Sequence, residues 1–229
     1  MEKLHNGFIL NIPPEAFPLS TDSMALSGFV RLPKNARVLD LGSGAGTLGL
    51  LLCASDPGCS VLGIELSMLS HLAAEKNATV NHIEHRLTSI CADVRDCHNI
   101  AIPGHFDCVV TNPPYFSGGP ESASHPTARQ ERSCTLADFV RQAARALKHG
   151  GDFYTVYRPE RLGELIGYCT EAGLEPKRLC LLRHKKDSPI SLVLLSCRRG
   201  GKPGLLWEEA YLQEADGSPS PYYRALYHL

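Results

Sequence analysis

Residues 111–116 read TNPPYF and follow directly on the short apolar run FDCVV. Pro113 and Pro114 remove two backbone donors and fix two φ angles, so this segment is neither helix nor interior strand. It holds Asn112 and Tyr115 in a set relation. An amide next to an aromatic ring suits the grip of a planar group that carries an exocyclic amine. The Asn112 side-chain oxygen and the Pro113 carbonyl can each accept one N–H, while Tyr115 stacks on the ring face, a contact worth about 1–3 kcal/mol per base. Such an amine is a poor nucleophile because its lone pair is delocalised into the ring. Held between two acceptors, it turns that lone pair toward an electrophile. The chemistry is then positioning and electrostatics, with no strong general base.

Three further clusters follow apolar runs. GSGAG, residues 42–46, places Gly42, Gly44 and Gly46 where a tight turn can approach a ligand closely. Glu65 lies about 20 residues beyond the glycines, at the spacing of an acid that accepts ribose hydroxyls. Asp93 ends a third apolar run and can accept from an adenine amine. One acid after a strand is commonly a helix N-cap; three such features in register after successive strands point to an adenosine site. GSGAGTLG lacks the Lys-Ser/Thr of a phosphate loop, and no Arg or Lys lies near it to meet a pyrophosphate. Asp40, immediately before the glycines, repels phosphate and suits a cation. S-adenosylmethionine, with a sulfonium, an ammonium and no phosphate, is the cofactor expected.

These residues need a frame that brings strand ends together. RVLDL, CSVLGIEL, RLTSICAD, HFDCVVTN, DFYTVYR, KRLCLLRH and ISLVLLSCRR read as seven strands, the last two joined by KKDSP as an antiparallel hairpin. TLGLLLCAS, SMLSHLAAEKNATVN, TLADFVRQAARALKHGG (stopped by its Gly pair) and PERLGELIGYCTEAG read as helices between them. The alternation predicts an α/β, doubly wound, seven-stranded, mostly parallel sheet with a C-terminal antiparallel hairpin, the methyltransferase variant of the Rossmann-like fold. Its ligands bind at the carboxyl ends of the strands, where strand order reverses. The organisation expected is residues 1–36 as an N-terminal segment and helix packed on the core, 37–200 as the catalytic domain, and 201–229 as a C-terminal extension of that domain. Residues 117–133 are polar and long for a connection, as lids are.

The chain has 229 residues, 43% of them hydrophobic, and a formal net charge of -1. The charge is unevenly spread. Residues 1–120 carry 7 Lys+Arg against 11 Asp+Glu, and residues 121–207 carry 15 against 9, so a polyanion has a surface to meet in the second half. The nine cysteines form no CxxC pair and the ten histidines no HxxxH spacing, so neither disulfides nor metal are expected. The N-terminus lacks a signal-peptide pattern and no apolar run reaches membrane-spanning length. A cytoplasmic, monomeric protein without membrane attachment is expected.

VLDLGSGAGTLGL, GIEL, CADVRD and VVTNPPYF resemble the successive motifs of the class I N-P-P-[YF] amino-methyltransferases. FPLSTDSMALSGF with its Asp-Ser start, AEKNATVN and ARQE at 128–131 resemble, within that group, the bacterial tRNA(Val) adenine-37 N6-methyltransferase family. The resemblance spans most of residues 8–200. It implies that Asp40, Gly42, Gly44, Gly46, Glu65, Asp93, Val94 and Asn112 bind the cofactor, and that Asn112, Pro113 and Tyr115 hold the target amine of a tRNA. Asp22 would lie near the methionine end or cap its helix, Phe116 would extend the stacking platform or plug the core, and Arg129 and Glu131 would order the loop or touch RNA. Release-factor glutamine N5-methyltransferases and ribosomal guanine N2-methyltransferases share NPPY. The former usually carry a helical domain ahead of the catalytic one, for which about 36 residues leave little room; the latter are often duplicated.

Overall fold

The computed structural model describes residues 2–4, 7–114 and 134–229, apart from the His98 side chain. Tyr115, Phe116, Arg129 and Glu131 lie outside the described residues. A short antiparallel pair, β1 (Glu2–Lys3) and β2 (Ile9–Leu10), precedes helix α1 (Thr21–Phe29). The alternating core follows: β3 (Arg37–Leu41), α2 (Thr47–Ser55), β4 (Ser60–Glu65), α3 (Met68–Val80), β5 (Leu87–Cys91) and β6 (Phe106–Thr111). Then come α4 (Leu136–Ala146), β7 (Leu147–Tyr157), α5 (Leu162–Glu171), β8 (Leu174–Lys185), β9 (Ile190–Arg199), β10 (Leu206–Gln213) and α6 (Pro221–Tyr227).

One sheet runs in the order β10-β8-β9-β7-β6-β3-β4-β5. Only β9 is antiparallel to its neighbours. The α/β doubly wound architecture and the antiparallel hairpin are as the sequence predicts, but among the described residues the sheet has eight strands and not seven. The extra strand, LWEEAYLQ, adds to β8 in parallel at the edge. It shows no clean two-residue alternation because neither of its faces is consistently covered: only Ala210 is buried, and the adjacent Leu206 and Trp207, on opposite faces, are each 67% exposed. A second difference concerns α4. Its helix ends at Ala146, and the Gly150–Gly151 pair expected to stop it lies inside β7, because fully buried Leu147 already takes extended backbone there. Pro159 opens a short 3₁₀ turn ahead of α5 and is not part of the helix itself.

The strands bury apolar residues on both faces, as a sheet covered on both sides requires. One core lies under α1, α2, α3 and α6, and the other under α4 and α5. The C-terminal residues join the first core through Ala210, Leu212, Tyr222 and Leu226.

A pair of asparagines one turn apart on α3 fastens the N-terminal segment. Asn81 accepts from Ile9 N–H and donates to Ile9 C=O, both at 2.7 Å. Asn77 accepts from Asn11 N–H at 2.8 Å and donates to Asn11 C=O and Ala45 C=O, both at 2.9 Å. Asn77 is fully buried and so ties the N-terminal segment to the glycine turn. Asn77→Ala is expected to cost about 3 kcal/mol, because buried backbone groups lose their partners; urea unfolding monitored by circular dichroism measures it, and Asn81→Ala should cost less.

Candidate active site

Strand β3 lies between β4 and β6, so the crossovers leave it in opposite directions and open a crevice at its carboxyl end. A cleft of about 330 Å³ occupies that crevice. Its walls include Asp40, Gly42, Gly44, Glu65, Asp93, Val94, Asn112 and Pro113. The structure thus gathers these sequence-predicted residues in one place, though they span more than 70 positions. Of the others, Gly46 is not among the lining residues and Tyr115 lies outside the described residues.

All three glycines adopt left-handed backbone, with φ of +73° at Gly42, +57° at Gly44 and +77° at Gly46. A Cβ at Gly44 would meet nothing within 4 Å, so this position faces open cleft. A Cβ at Gly46 would stand 3.1 Å from Ala74 Cβ. Gly46 therefore permits the close approach of α2 to α3.

Glu65 ends β4 and its carboxylate braces the turn. Oε2 accepts from Gly44 N–H at 2.8 Å and Oε1 from Ser67 N–H at 2.7 Å. The N–H groups of Gly42 and Ser43 donate to Ile64 C=O, so the turn is sewn to β4 by backbone as well. Each Glu65 oxygen keeps a second lone pair for a ligand hydroxyl. Asp93, by contrast, is not free: Arg95 donates to it through Nη2 at 2.6 Å, Nε at 3.1 Å and its backbone N–H at 2.8 Å. The Arg95 hydrogen bonds hold the Asp93 carboxyl below its usual range. To meet an adenine amine, Asp93 must share an oxygen that Arg95 already uses.

Asp40 is buried, and its Oδ2 and the neighbouring Ser43 Oγ have no hydrogen-bond partner among the described residues. Burial first, and the negative charge of Glu65 second, push the Asp40 carboxyl up to about 7. The charged residues lining the cleft are Glu15, Asp40, Glu65 and Asp93, with no Lys or Arg among the described lining residues. Such a cleft repels pyrophosphate and attracts a cation. The orphaned Asp40 oxygen, the open Gly44 position and the spare Glu65 lone pairs fit S-adenosylmethionine.

A pH dependence follows. A bound cation favours ionised Asp40, so binding releases a proton wherever Asp40 is still protonated, and affinity for S-adenosylhomocysteine, which keeps the ammonium, should fall as pH drops below about 7. By the same linkage the ligand-free protein loses stability as pH rises from about 4 toward 7, since the carboxyl is harder to ionise folded than unfolded. Calorimetry at pH 6 and 8 in two buffers of different ionisation enthalpy tests the binding effect, which Asp40→Asn should abolish.

On the other side of the cleft, Thr111 at the end of β6 donates from Oγ1 to Leu41 C=O at 2.7 Å, locking β6 to β3. The next residue, Asn112, donates from Nδ2 to Ser23 Oγ at 3.3 Å. That bond spends the amide's nitrogen on the protein and leaves Oδ1 as an acceptor for the cleft. Ser23, which holds this amide and lines the cleft, is a residue that sequence reasoning did not single out; its only signal was a place in the Asp-Ser start of the first helix. Ser20, and not Asp22, caps that helix, accepting from Ser23 N–H at 3.3 Å.

Among the described residues, no group of three or more His, Cys, Asp or Glu could hold a metal, and no helix is long and apolar enough to cross a membrane.

A family model described as methyltransferase small domain matches residues 23–166. The tRNA1(Val) (adenine(37)-N6)-methyltransferase of Tolumonas auensis is 30% identical over 215 residues, which cover 92% of this chain and 88% of that protein. Its counterpart from Photobacterium profundum is 26% identical over 212 residues, 91% of this chain and 88% of that one. The crystal structure of a protein described as a predicted O-methyltransferase, from Agrobacterium tumefaciens, matches with a TM-score of 0.75 at 21% identity, covering 91% of this chain and 96% of the other.

Proposed function

This chain belongs to the methyltransferase small-domain family and is an S-adenosylmethionine-dependent N-methyltransferase, and from that premise we propose that its acceptor is the N6 amine of adenine 37 in tRNA(Val), beside the anticodon. The observation that carries the reading is the Asn112 amide, oriented by Ser23, in the same cleft as the acids that suit a cationic methyl donor. The names of the relatives support the choice of adenine and tRNA.

In this mechanism Asp40 takes the ammonium of the methionine portion, Glu65 the ribose hydroxyls, and Asp93 and Val94 the adenine of the cofactor. S-adenosylmethionine supplies a methyl group made electrophilic by its sulfonium. Asn112 Oδ1 and the Pro113 carbonyl each accept one N–H of the target amine and turn its lone pair out of the ring toward the methyl. As positive charge develops on the nitrogen, both carbonyl dipoles point their negative ends at it. The proton then leaves to solvent, so no side chain has to act as base. Tyr115 supplies the stacking face.

The polyanion needs cations near the cleft. β8 runs parallel to β7 and β6, so the turn from Lys185 to Pro189 emerges at the same carboxyl end of the strands as the cleft. Lys186 is exposed there and Lys185 half-buried. A base next to an anticodon must also swing out of its stack to enter the pocket, which loops permit most easily.

The decisive assay offers labelled methyl donor with tRNA(Val), the same tRNA bearing another base at position 37, and release factor. Label in the unaltered tRNA alone is expected; label in the release-factor glutamine with none in RNA overturns the reading. Transfer to tRNA should weaken as salt rises. Replacing Lys185 and Lys186 by Glu should raise the tRNA KM about tenfold at low salt and leave S-adenosylhomocysteine binding unchanged.

A further inference from the structure

Resting on the adenine reading above, we infer that Phe17 is a stacking platform for the acceptor base, built into the wall of the cleft. Among the described Phe, Tyr and Trp residues only Phe17 and Trp207 are mostly exposed, Phe17 by 59%. Phe17 lines the same cleft as Asn112, Pro113 and Pro114. An aromatic ring left in water at the mouth of a cleft gains by covering a planar partner.

The segment that carries Phe17 is rigid. Pro13, Pro14 and Pro18 fix three of its φ angles, and Ala16 N–H closes a turn onto Pro13 C=O at 3.0 Å. Both ends are anchored. At one end Asn11 is held by Asn77, which also holds Ala45 of the glycine turn. At the other end Ser20 caps α1, with its hydroxyl 3.5 Å from the Ser23 hydroxyl that orients Asn112. The segment therefore crosses from the methionine side of the cleft to the acceptor side, and Phe17 lies three residues from the acceptor-side anchor. A stiff strap fastened to both halves of the site presents its ring without an ordering cost at binding.

The test makes use of Trp207 being the only tryptophan. A Trp207→Phe, Phe17→Trp double variant carries its sole indole on the strap. Its fluorescence should be quenched by an anticodon stem-loop of tRNA(Val) and much less by the same stem-loop with an abasic site at position 37. In the native background Phe17→Ala should lower kcat/KM for tRNA about tenfold, in line with the loss of one base–aromatic stack, while Phe17→Tyr stays near the unaltered enzyme. Binding of S-adenosylhomocysteine should be unchanged in all of them. Equal quenching by both stem-loops overturns the inference, as does full activity of Phe17→Ala. An equal loss of S-adenosylhomocysteine affinity also overturns it, by assigning the ring to the cofactor. If the unaltered enzyme transfers no methyl to tRNA, the substrate reading fails and takes this inference with it; transfer by the unaltered enzyme with an indifferent Phe17→Ala sinks the inference alone.

Discussion

Asn112→Ala should lower methyl transfer by about 10³-fold or more while S-adenosylhomocysteine binds within about twofold of its native affinity. Removing one preorganised group that is aimed at developing charge typically costs a factor of about 10²–10³, and here positioning is lost as well. The amide is tied to Ser23 across the cleft, whereas the cofactor's other expected partners, which carry its charged and hydroxyl contacts, come from β3, β4 and the residues after β5. Ser23→Ala should give a milder loss in kcat, about tenfold, since Asn112 keeps its oxygen and loses only its orientation. Single-turnover transfer together with calorimetry separates the two effects. A large loss of cofactor affinity in Asn112→Ala would place the amide on the wrong side of the mechanism.

Glu65→Ala should weaken S-adenosylhomocysteine binding by about 100-fold, near 3 kcal/mol, as expected when a charged group with several hydrogen bonds is deleted. Two losses combine. The ribose hydroxyls lose their acceptor, and the N–H groups of Gly44 and Ser67 lose the carboxylate that braces the turn. Glu65→Gln is the sharper probe. Both Glu65 oxygens face backbone donors, so a glutamine must present its own NH₂ to one of them and lose that bond. Gln should therefore behave much more like Ala than like Glu in isothermal calorimetry. Native affinity in the Gln variant would show that neither brace matters to binding.

The residues with chemistry were legible because their types leave few alternatives. Consecutive prolines after an apolar run exclude helix and interior strand, alternate glycines after another strand specify a turn, and an acid at a strand end faces the crevice once the fold is doubly wound. Gly46 shows the limit of this logic. Its left-handed backbone was foreseeable, but the close approach of a helix to it, through Ala74 28 positions away, was not. The edge strand Leu206–Gln213 was missed because neither of its faces is buried enough to impose alternation, and the end of α4 because the burial of Leu147 outweighs the local glycine signal.

The amino-acid sequence alone thus determined the order of the core strands and helices from Arg37 to Arg199, the class of cofactor suited to a glycine turn preceded by an acid, and the amide and prolines at the end of β6. These depend on short-range properties: φ restriction, periodic burial, and charge at a strand terminus. Only the tertiary structure decided that Ser23 orients Asn112 across 89 residues, that Asn77 joins the N-terminal strap to the glycine turn, that Arg95 already occupies Asp93, and that Asp40 stands buried with an oxygen unpaired. Each is a pairing through space. It exists because β6 lies against β3 and because α1 and α3 pack on the same face of the sheet, and no local preference of the chain encodes which distant partner will arrive there.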